Sequence, residues 1–147
     1  MKKLDDIDRQ IVGYLLDNGR DRVTDIADSL KFNRVTVAQR IERLVRIGVI
    51  KRFTVKLDYE FFGLDVLAFV FISFKKTDDT TQEELAQIIS RLEGVEEVHI
   101  IAGEFDIIAR VRAKNLRELG EKVVNKIRGY SGVETTFSHI VFQTIKE

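Results

Sequence analysis

The segment Asp65–Lys75 restricts the fold of this chain more than any other stretch does. Its residues predict a β-strand whose two faces are both apolar. One face would carry Val66, Ala68, Val70, Ile72 and Phe74, and the other Leu67, Phe69 and Phe71. Neither face suits contact with water, so the fold has to bury both sides of the sheet that contains this strand.

The residues that follow predict a ferredoxin-like βαββαβ domain. Thr80 or Thr81 can cap a helix with an apolar stripe, and a second such helix can begin at Asn115. Further strands are predicted at Glu97–Ala102, Asp106–Arg112 and Val133–Ile145. A helix followed by Gly-Val-Glu occurs twice, at 94–96 and 132–134, as two βαβ halves require. We therefore expect an antiparallel sheet with both helices on one face and a homodimer partner on the other.

Upstream, the segment Asn33–Arg52 predicts an amphipathic helix with a basic outer face. Asn33 suits its N-cap, Gly48 suits its C-terminal end, and the segment holds six Lys or Arg residues against one carboxylate. A helix predicted at 23–30 precedes it after a turn of three residues, and another is predicted from Leu4 to Leu16. Two helices joined so tightly are typical of a helix-turn-helix, whose second helix enters the major groove of DNA.

Five polar residues of the basic helix are candidate DNA contacts. Arg34, Thr36 and Gln39 lie in its first turns, from which side chains can reach base edges. Arg40 and Arg43 are predicted to neutralise backbone phosphates. A basic helix alone is more often an ordinary solvated surface helix, and the tightly joined helix before it makes DNA binding the better interpretation.

Composition excludes several other classes of protein. The chain has 147 residues, of which 44% are apolar and 33% charged, as in a globular protein with a real core. It has no cysteine and two distant histidines, so we expect neither a disulfide nor a metal site. No apolar stretch is long enough for a membrane span, and the start is acidic where a signal peptide is apolar. We expect a cytoplasmic protein without a cofactor or a membrane contact.

The overall charge of zero conceals an asymmetry between the two ends of the chain. Residues 1–52 contain 12 Lys or Arg and 8 Asp or Glu, a net charge of +4, and the remainder carries −4. The positive part is the part with the predicted helix-turn-helix. This distribution favours a DNA reader whose second domain stays away from the phosphates.

Four motifs, in this order, resemble the Lrp/AsnC, or feast/famine, transcription regulators over nearly the whole chain. They are Leu4-Asp5-x-x-Asp8-Arg9-x-Ile11, Gly19-Arg20, Arg40-Ile41-x-x-Leu44 with Gly48-Val49-Ile50, and His99-x-x-x-Gly103-Glu104-Phe105-Asp106. The resemblance implies an α+β protein with a three-helix helix-turn-helix domain at 1–50, a β linker at 51–63 and a βαββαβ effector-sensing and oligomerisation domain at 64–147. It also implies a sequence-specific regulator that binds double-stranded DNA as a homodimer, with dimers assembling into tetramers or octamers.

The same resemblance implies an amino-acid effector that binds between dimers. Its site would consist of Gly103, Glu104, Asp106, Thr135, Thr136 and Ile140. A glycine turn offers free N–H groups to a ligand carboxylate, and a neighbouring Asp or Glu suits an ammonium group. The alternative interpretation is a plain hairpin turn in which Asp106 only bonds its own backbone.

Two positions depart from the family pattern. Lys31 occupies a place where the family usually has a glycine with a left-handed backbone, which would cost roughly 1 kcal/mol if that conformation persists. Glu104 replaces the usual aspartate, and its longer side chain favours a cationic or polar effector.

A different class of function also fits a ferredoxin-like fold, namely a small-molecule-binding or enzymatic protein whose headpiece does not bind DNA. The sequence shows no paired nucleophile and base, no phosphate-binding loop and no metal-ligand spacing. We therefore expect no enzymatic activity, and the basic helix favours the DNA-binding regulator.

Overall fold

The computed structural model describes residues 4–146, apart from the side chain of Lys122. The chain divides into two compact units, Met1–Leu57 and Asp58–Glu147, each with its own apolar core. The division falls within the segment 51–63 that was expected to be a linker.

The described part of the first unit is a bundle of three helices. They are α1 (Asp6–Asp17), α2 (Val23–Leu30) and α3 (Arg34–Arg46). The Asn33 side chain accepts a hydrogen bond from the N–H of Val35 at 2.8 Å and so begins α3 as predicted. The buried core contains Ile11, Ile26, Ala27, Val37 and Leu44. Ala27 is small enough for α2 and α3 to pack closely, which gives the predicted helix-turn-helix.

Lys31, in the turn between α2 and α3, has a left-handed backbone with φ 59° and ψ 36°. The turn closes with a hydrogen bond from the N–H of Phe32 to the carbonyl of Ala27 at 3.0 Å. The conformation that suits glycine therefore persists with a lysine, at a cost of about 1 kcal/mol.

The β linker predicted at 51–63 is wrong for the single chain. Residues 51–58 have no regular secondary structure, and Tyr59–Phe62 form a short 3-10 helix. A strand needs a neighbouring strand for its backbone groups, and no described strand of this chain pairs with the segment. The apolar side chains of Phe53 and Val55 consequently stay exposed.

The second unit is a four-stranded antiparallel sheet with helices, in the predicted βαββαβ order. The strands are β1 (Val66–Phe74), β2 (Val95–Ile100), β3 (Ile107–Ala113) and β4 (Val133–Ile140), arranged as β2-β3-β1-β4. Between β1 and β2 lies α4 (Gln82–Ile89), which begins at a capping box formed by Thr81 and Glu84. Between β3 and β4 lie α5 (Leu116–Glu118), a π-helical stretch (Leu119–Val124) and α6 (Asn125–Arg128).

The two faces of β1 have different surroundings. Ala68, Val70 and Ile72 are fully buried on the face that the helices cover. On the opposite face, which we call the open face, β1 contributes Phe69 and Phe71, and β4 contributes Phe137 and His139 beside them. Phe137 is 52% exposed, so the open face is apolar and only partly covered within one chain.

Three details differ from the predicted elements. The last strand ends at Ile140 and not at Ile145, because Ile140 already pairs with Ala68 near the start of β1 and the partner strand ends there. Leu116 was expected inside but is 60% exposed, since the π-helical stretch after it changes the helical period. Ile88 was also expected inside and is exposed, because Leu85, Ala86 and Ile89 already fill the contact with the sheet.

Candidate DNA interface and ligand site

One line of α3 side chains points directly away from the core. Val37 and Leu44 are fully buried, and each helical residue turns the direction by about 100°. The opposite direction is therefore occupied by Val35, Gln39 and Arg46, all of which are exposed. We call these three residues the outer line of α3. Sequence reasoning had found only Gln39 among them, although the spacing from Val37 and Leu44 already contained the signal.

The structure places the other two predicted base-contact residues beside the outer line. Arg34 is exposed in the first turn, and Thr36 is half-buried one turn before Arg40. Within residues 4–146, neither Arg34 nor Arg46 makes an ion pair, so both guanidinium groups are available to an anionic partner.

Arg40 and Arg43 point in another direction and bind α1. Arg40 Nη1 donates to Asp5 Oδ2 and also to Asp8 Oδ1 at 3.1 Å. Arg43 Nη1 donates to Asp8 Oδ2 at 2.7 Å. The side chains of these arginines are 28% and 35% exposed, whereas Asp8 has no exposed surface. Their direction is thus contrary to the one that the predicted phosphate role requires, because a buried carboxylate needs its positive partners.

The carboxylates of Asp5 and Asp8 are held in the ionised form. Burial alone would raise the pKa of Asp8, but hydrogen bonds from Arg43, from the N–H of Asp5 and from Arg40 outweigh it, and the pKa lies below its ordinary value. A hydrogen bond from the N–H of Asp8, followed by that from Arg40, lowers the pKa of Asp5. Removing one partner of such a buried pair costs about 3 kcal/mol, the lower end of the usual range since the arginines are partly solvated.

In the second unit, the turn between β2 and β3 has the character expected of a ligand site. Gly103 has φ 149°, a conformation that glycine adopts readily, and both Gly103 and Glu104 are exposed. In the described part of the chain, the N–H groups of these two residues make no hydrogen bond. They are available for an anionic group of a ligand.

Asp106 holds this turn against the end of β1. Its Oδ2 accepts a hydrogen bond from the N–H of Phe74 at 2.7 Å, and its own N–H donates to the carbonyl of Ile72 at 3.1 Å. Its carbonyl accepts from Gln82 Nε2 at 3.0 Å and from the N–H of Ile101 at 2.8 Å. Asp106 is therefore the support of the turn, which agrees with the interpretation that it bonds backbone groups.

The predicted ligand residues of β4 are only partly brought together. Thr135 pairs with Ser73 and donates to its hydroxyl at 3.0 Å, next to the segment that Asp106 holds. Thr136 points to the other face, where its hydroxyl accepts from Arg128 Nε at 2.7 Å. Ile140 pairs with Ala68, roughly 13 Å further along the sheet. Gly103, Glu104, Asp106 and Thr135 thus share one end of the sheet, and Ile140 lies at the other.

An aromatic cluster joins this turn to the open face. The Phe105 ring lies 5.2 Å from that of Phe71 and 5.5 Å from that of Phe137, measured between centroids. His139 packs edge-on against Phe71 at 5.0 Å. These are favourable separations for aromatic pairs, so the turn and the open face form one packed surface.

Both units match protein-family models. Residues 4–45 match the AsnC-type helix-turn-helix domain, and residues 67–147 match the Lrp/AsnC ligand binding domain. The chain belongs to the Lrp/AsnC family. It is a DNA-binding transcriptional regulator with a small-molecule-binding domain, as the sequence motifs predicted.

Relatives of this Lrp/AsnC chain match it over almost its entire length. An uncharacterized HTH-type transcriptional regulator of Pyrococcus horikoshii is 40% identical, over 98% of this chain and 96% of the relative. The HTH-type transcriptional regulator LysM of Sulfurisphaera tokodaii is 36% identical, over 97% and 98%. Among solved structures, B. subtilis LrpC aligns with a TM-score of 0.85 at 26% identity over 98% of each chain. A Neisseria meningitidis transcriptional regulator in complex with L-Met aligns with a TM-score of 0.91 at 22% identity, over 99% and 94%.

Other kinds of site were sought in the same residues of this Lrp/AsnC protein. No helix within residues 4–146 is both long and apolar enough to cross a membrane. The described His, Asp and Glu side chains form no group of three that could hold a metal ion. The family is one of transcriptional regulators, which typically catalyse no reaction.

The depressed pKa values of Asp5 and Asp8 predict an acid-sensitive headpiece in this Lrp/AsnC protein. Their contribution to stability is complete above the ordinary pKa of 3.8 and is lost as the pH falls through the lower folded values. Asp8→Asn should therefore destabilise the headpiece by about 3 kcal/mol near pH 7, and the difference from wild type should shrink below the ordinary pKa. Urea unfolding of the full chain, followed by amide NMR signals of α1 and α3, measures both quantities. Asp17→Asn, at the exposed end of α1, is the matched control and should change stability by less than about 0.5 kcal/mol. A difference between Asp8→Asn and wild type that stays constant at every pH would contradict the prediction.

Proposed function

We propose that this regulator reads operator DNA through the outer line of α3 and its flanks. The observation that carries the proposal is that these residues are exposed and unpaired, whereas Arg40 and Arg43 are bound to α1. The Gln39 amide can bond adenine bidentately, Arg34 can bond guanine, and Thr36 can bond either. Val35 is 61% exposed and can contact a thymine methyl group. Arg46 is suited to a backbone phosphate.

We infer that the DNA-binding form is a homodimer built on the open face. A partly exposed cluster of Phe71, Phe105, Phe137 and His139 is more apolar than a surface in water normally is. A second copy of the same face is the simplest cover for it, and the interface would then have two-fold symmetry. Two symmetric headpieces require an operator with two inverted half-sites.

We further propose an amino acid as the effector, bound at the turn of Gly103 and Glu104. The unused N–H groups of the turn suit the ligand carboxylate, and the Glu104 carboxylate suits an ammonium group. The L-Met complex of the Neisseria meningitidis regulator, which has the same fold, supports an amino acid as the ligand class. The additional negative charge of Glu104 favours a cationic or polar amino acid. The turn is exposed in the single chain, so a neighbouring dimer of a tetramer or octamer can complete the pocket.

The base-reading role of Gln39 predicts a localised change in sequence preference. Gln39→Ala should weaken discrimination at one base pair in each half-site by about 1–3 kcal/mol, because one bidentate contact is lost. Selection from a random duplex library, followed by competition binding, measures this preference. The same substitution at Gln87, which is exposed on α4, is the control and should leave the selected sequence unchanged. An identical preference for wild type and Gln39→Ala would refute the assigned role.

The proposed dimer interface predicts that a charge on the open face disrupts assembly. Phe137→Glu should shift the protein to a smaller species, since a carboxylate would be buried without a partner in the interface. Light scattering coupled to size-exclusion chromatography measures the mass. Leu116→Glu places the same charge at another exposed apolar residue, outside the open face, and should keep the wild-type mass. The open face is not the interface if Phe137→Glu also keeps that mass.

The proposed effector site predicts a charge-dependent ligand preference. Calorimetry with the twenty amino acids should find binding, and Glu104→Gln should weaken a cationic ligand by at least about tenfold, the equivalent of losing one charge-assisted hydrogen bond. Glu83→Gln, in the first turn of α4, removes an exposed carboxylate elsewhere in the same domain and serves as the control. Equal affinities for wild type and Glu104→Gln, or no binding by the wild type, would show that the turn has no such role.

A further inference from the structure

We propose that Asp8, assisted by Asp5, keeps Arg40 and Arg43 bound in both the free and the DNA-bound protein, so that the two arginines orient α3 and do not neutralise phosphates. The inference rests on the proposed DNA-reading face and assigns a positioning role to four residues outside it. It concerns contacts that lie entirely within the first unit.

The carboxylate of Asp8 is fully occupied by groups that surround it. Oδ1 accepts from Arg40 at 3.1 Å, and Oδ2 accepts from Arg43 at 2.7 Å and from the N–H of Asp5 at 3.2 Å. Asp5 in turn accepts from the N–H of Asp8 at 2.9 Å and from Arg40. The cluster therefore satisfies both oxygens of a side chain that has no contact with water.

The burial of Asp8 determines which partner the arginines keep. If Arg43 or Arg40 moved to a DNA phosphate, it would leave a negative charge in the interior without sufficient compensation. A phosphate in contact with water offers no comparable gain, because the same counterion release is available to the unpaired Arg34 and Arg46. The arginines therefore stay with Asp8 when DNA binds.

Two attachment points one turn apart fix the rotation of α3 about its own axis. Arg40 and Arg43 are separated by three residues, a rise of about 4.5 Å. The ends of helix side chains lie about 5–6 Å from the axis, so a rotation of about 10° moves them by about 1 Å. Gln39 is the neighbour of Arg40, and Thr36 lies one turn before it, so any such rotation misplaces the groups that would reach the bases. A bidentate contact to a base does not tolerate that displacement, whereas phosphate contacts from flexible arginines do.

The test compares two arginines of the same helix by their salt dependence. Full-length protein is titrated with the duplex that the wild type selects and with a scrambled duplex, over a series of salt concentrations. Arg46→Ala should reduce the slope of log K against log salt concentration by about 0.9, because one phosphate contact is lost. Arg43→Gln should leave the slope unchanged and lower the ratio of affinities for selected and scrambled duplex by tenfold or more.

Variants of the acidic side separate positioning from stability. Asp8→Asn should reproduce the loss of discrimination seen with Arg43→Gln, and the double variant should lose no more than either single one, because all remove the same attachment. A simple loss of folded protein would weaken both duplexes equally and keep their ratio. Arg43→Lys keeps a donor for Asp8 and should recover part of the discrimination. Should Asp8→Asn fail to fold, Asp5→Asn, whose side chain is half-exposed, should give a smaller loss of discrimination with the slope unchanged.

Each other result overturns the proposal. A slope reduced by Arg43→Gln as much as by Arg46→Ala would make Arg43 a phosphate contact. An unchanged ratio for Arg43→Gln and for folded Asp8→Asn or Asp5→Asn would make the cluster purely structural. If Arg46→Ala and Gln39→Ala have no effect while Arg43→Gln reduces the slope, the DNA-reading face itself is misplaced, and the proposed function fails together with this inference.

Discussion

Asp8 has no surface in water, and both of its carboxylate oxygens take hydrogen bonds from arginines that lie more than thirty residues further along the chain. The position of α3 in the first unit depends on this interaction. In the second unit, Asp106 has a similar task, because its carboxylate binds the N–H of Phe74 and fixes the turn that begins at Gly103. In each unit an aspartate of a family motif is turned inward, and it supports the segment that offers its groups to a partner.

The open face and the proposed ligand turn are one packed surface. Phe105 follows Glu104 directly and lies between Phe71 and Phe137, two residues of the face that we propose to dimerise. A ligand that moves the turn therefore changes the packing of the dimer face without a long chain of intermediate contacts. Because linkage is reciprocal, a dimer that packs tightly against Phe105 changes the affinity for the ligand by the same factor.

Local patterns in the sequence predicted most of the fold, since their causes are local. Asn33 and Thr81 cap helices through groups two or three residues away, and the alternation around Val70 required no knowledge of the partner strand. The site was harder to predict. The pairing of Arg40 and Arg43 with Asp8 depends on tertiary packing, which a helix pattern does not contain.

The linker strand and Ile140 failed for related reasons. A strand around Val55 needs a partner that the single chain does not supply, and the π-helical stretch that exposes Leu116 has no signature in the apolar spacing. Ile140 was placed in the ligand site by resemblance alone, and the register of β4 separates it from Gly103. Conversely, the outer position of Val35 and Arg46 could have been derived from Val37 and Leu44.

Lys31 shows how a chemical requirement can compete with backbone geometry at one position. Glycine would relax the left-handed turn, whereas lysine adds an exposed ammonium group to a headpiece whose net charge is +4. The cost in folding free energy, about 1 kcal/mol, falls on the domain at all times. The benefit exists only near a polyanion, where each further positive charge speeds encounter and strengthens non-specific attachment. The residue in this turn thus adjusts how long the protein stays on arbitrary DNA while it searches for an operator, independently of the residues that recognise that operator.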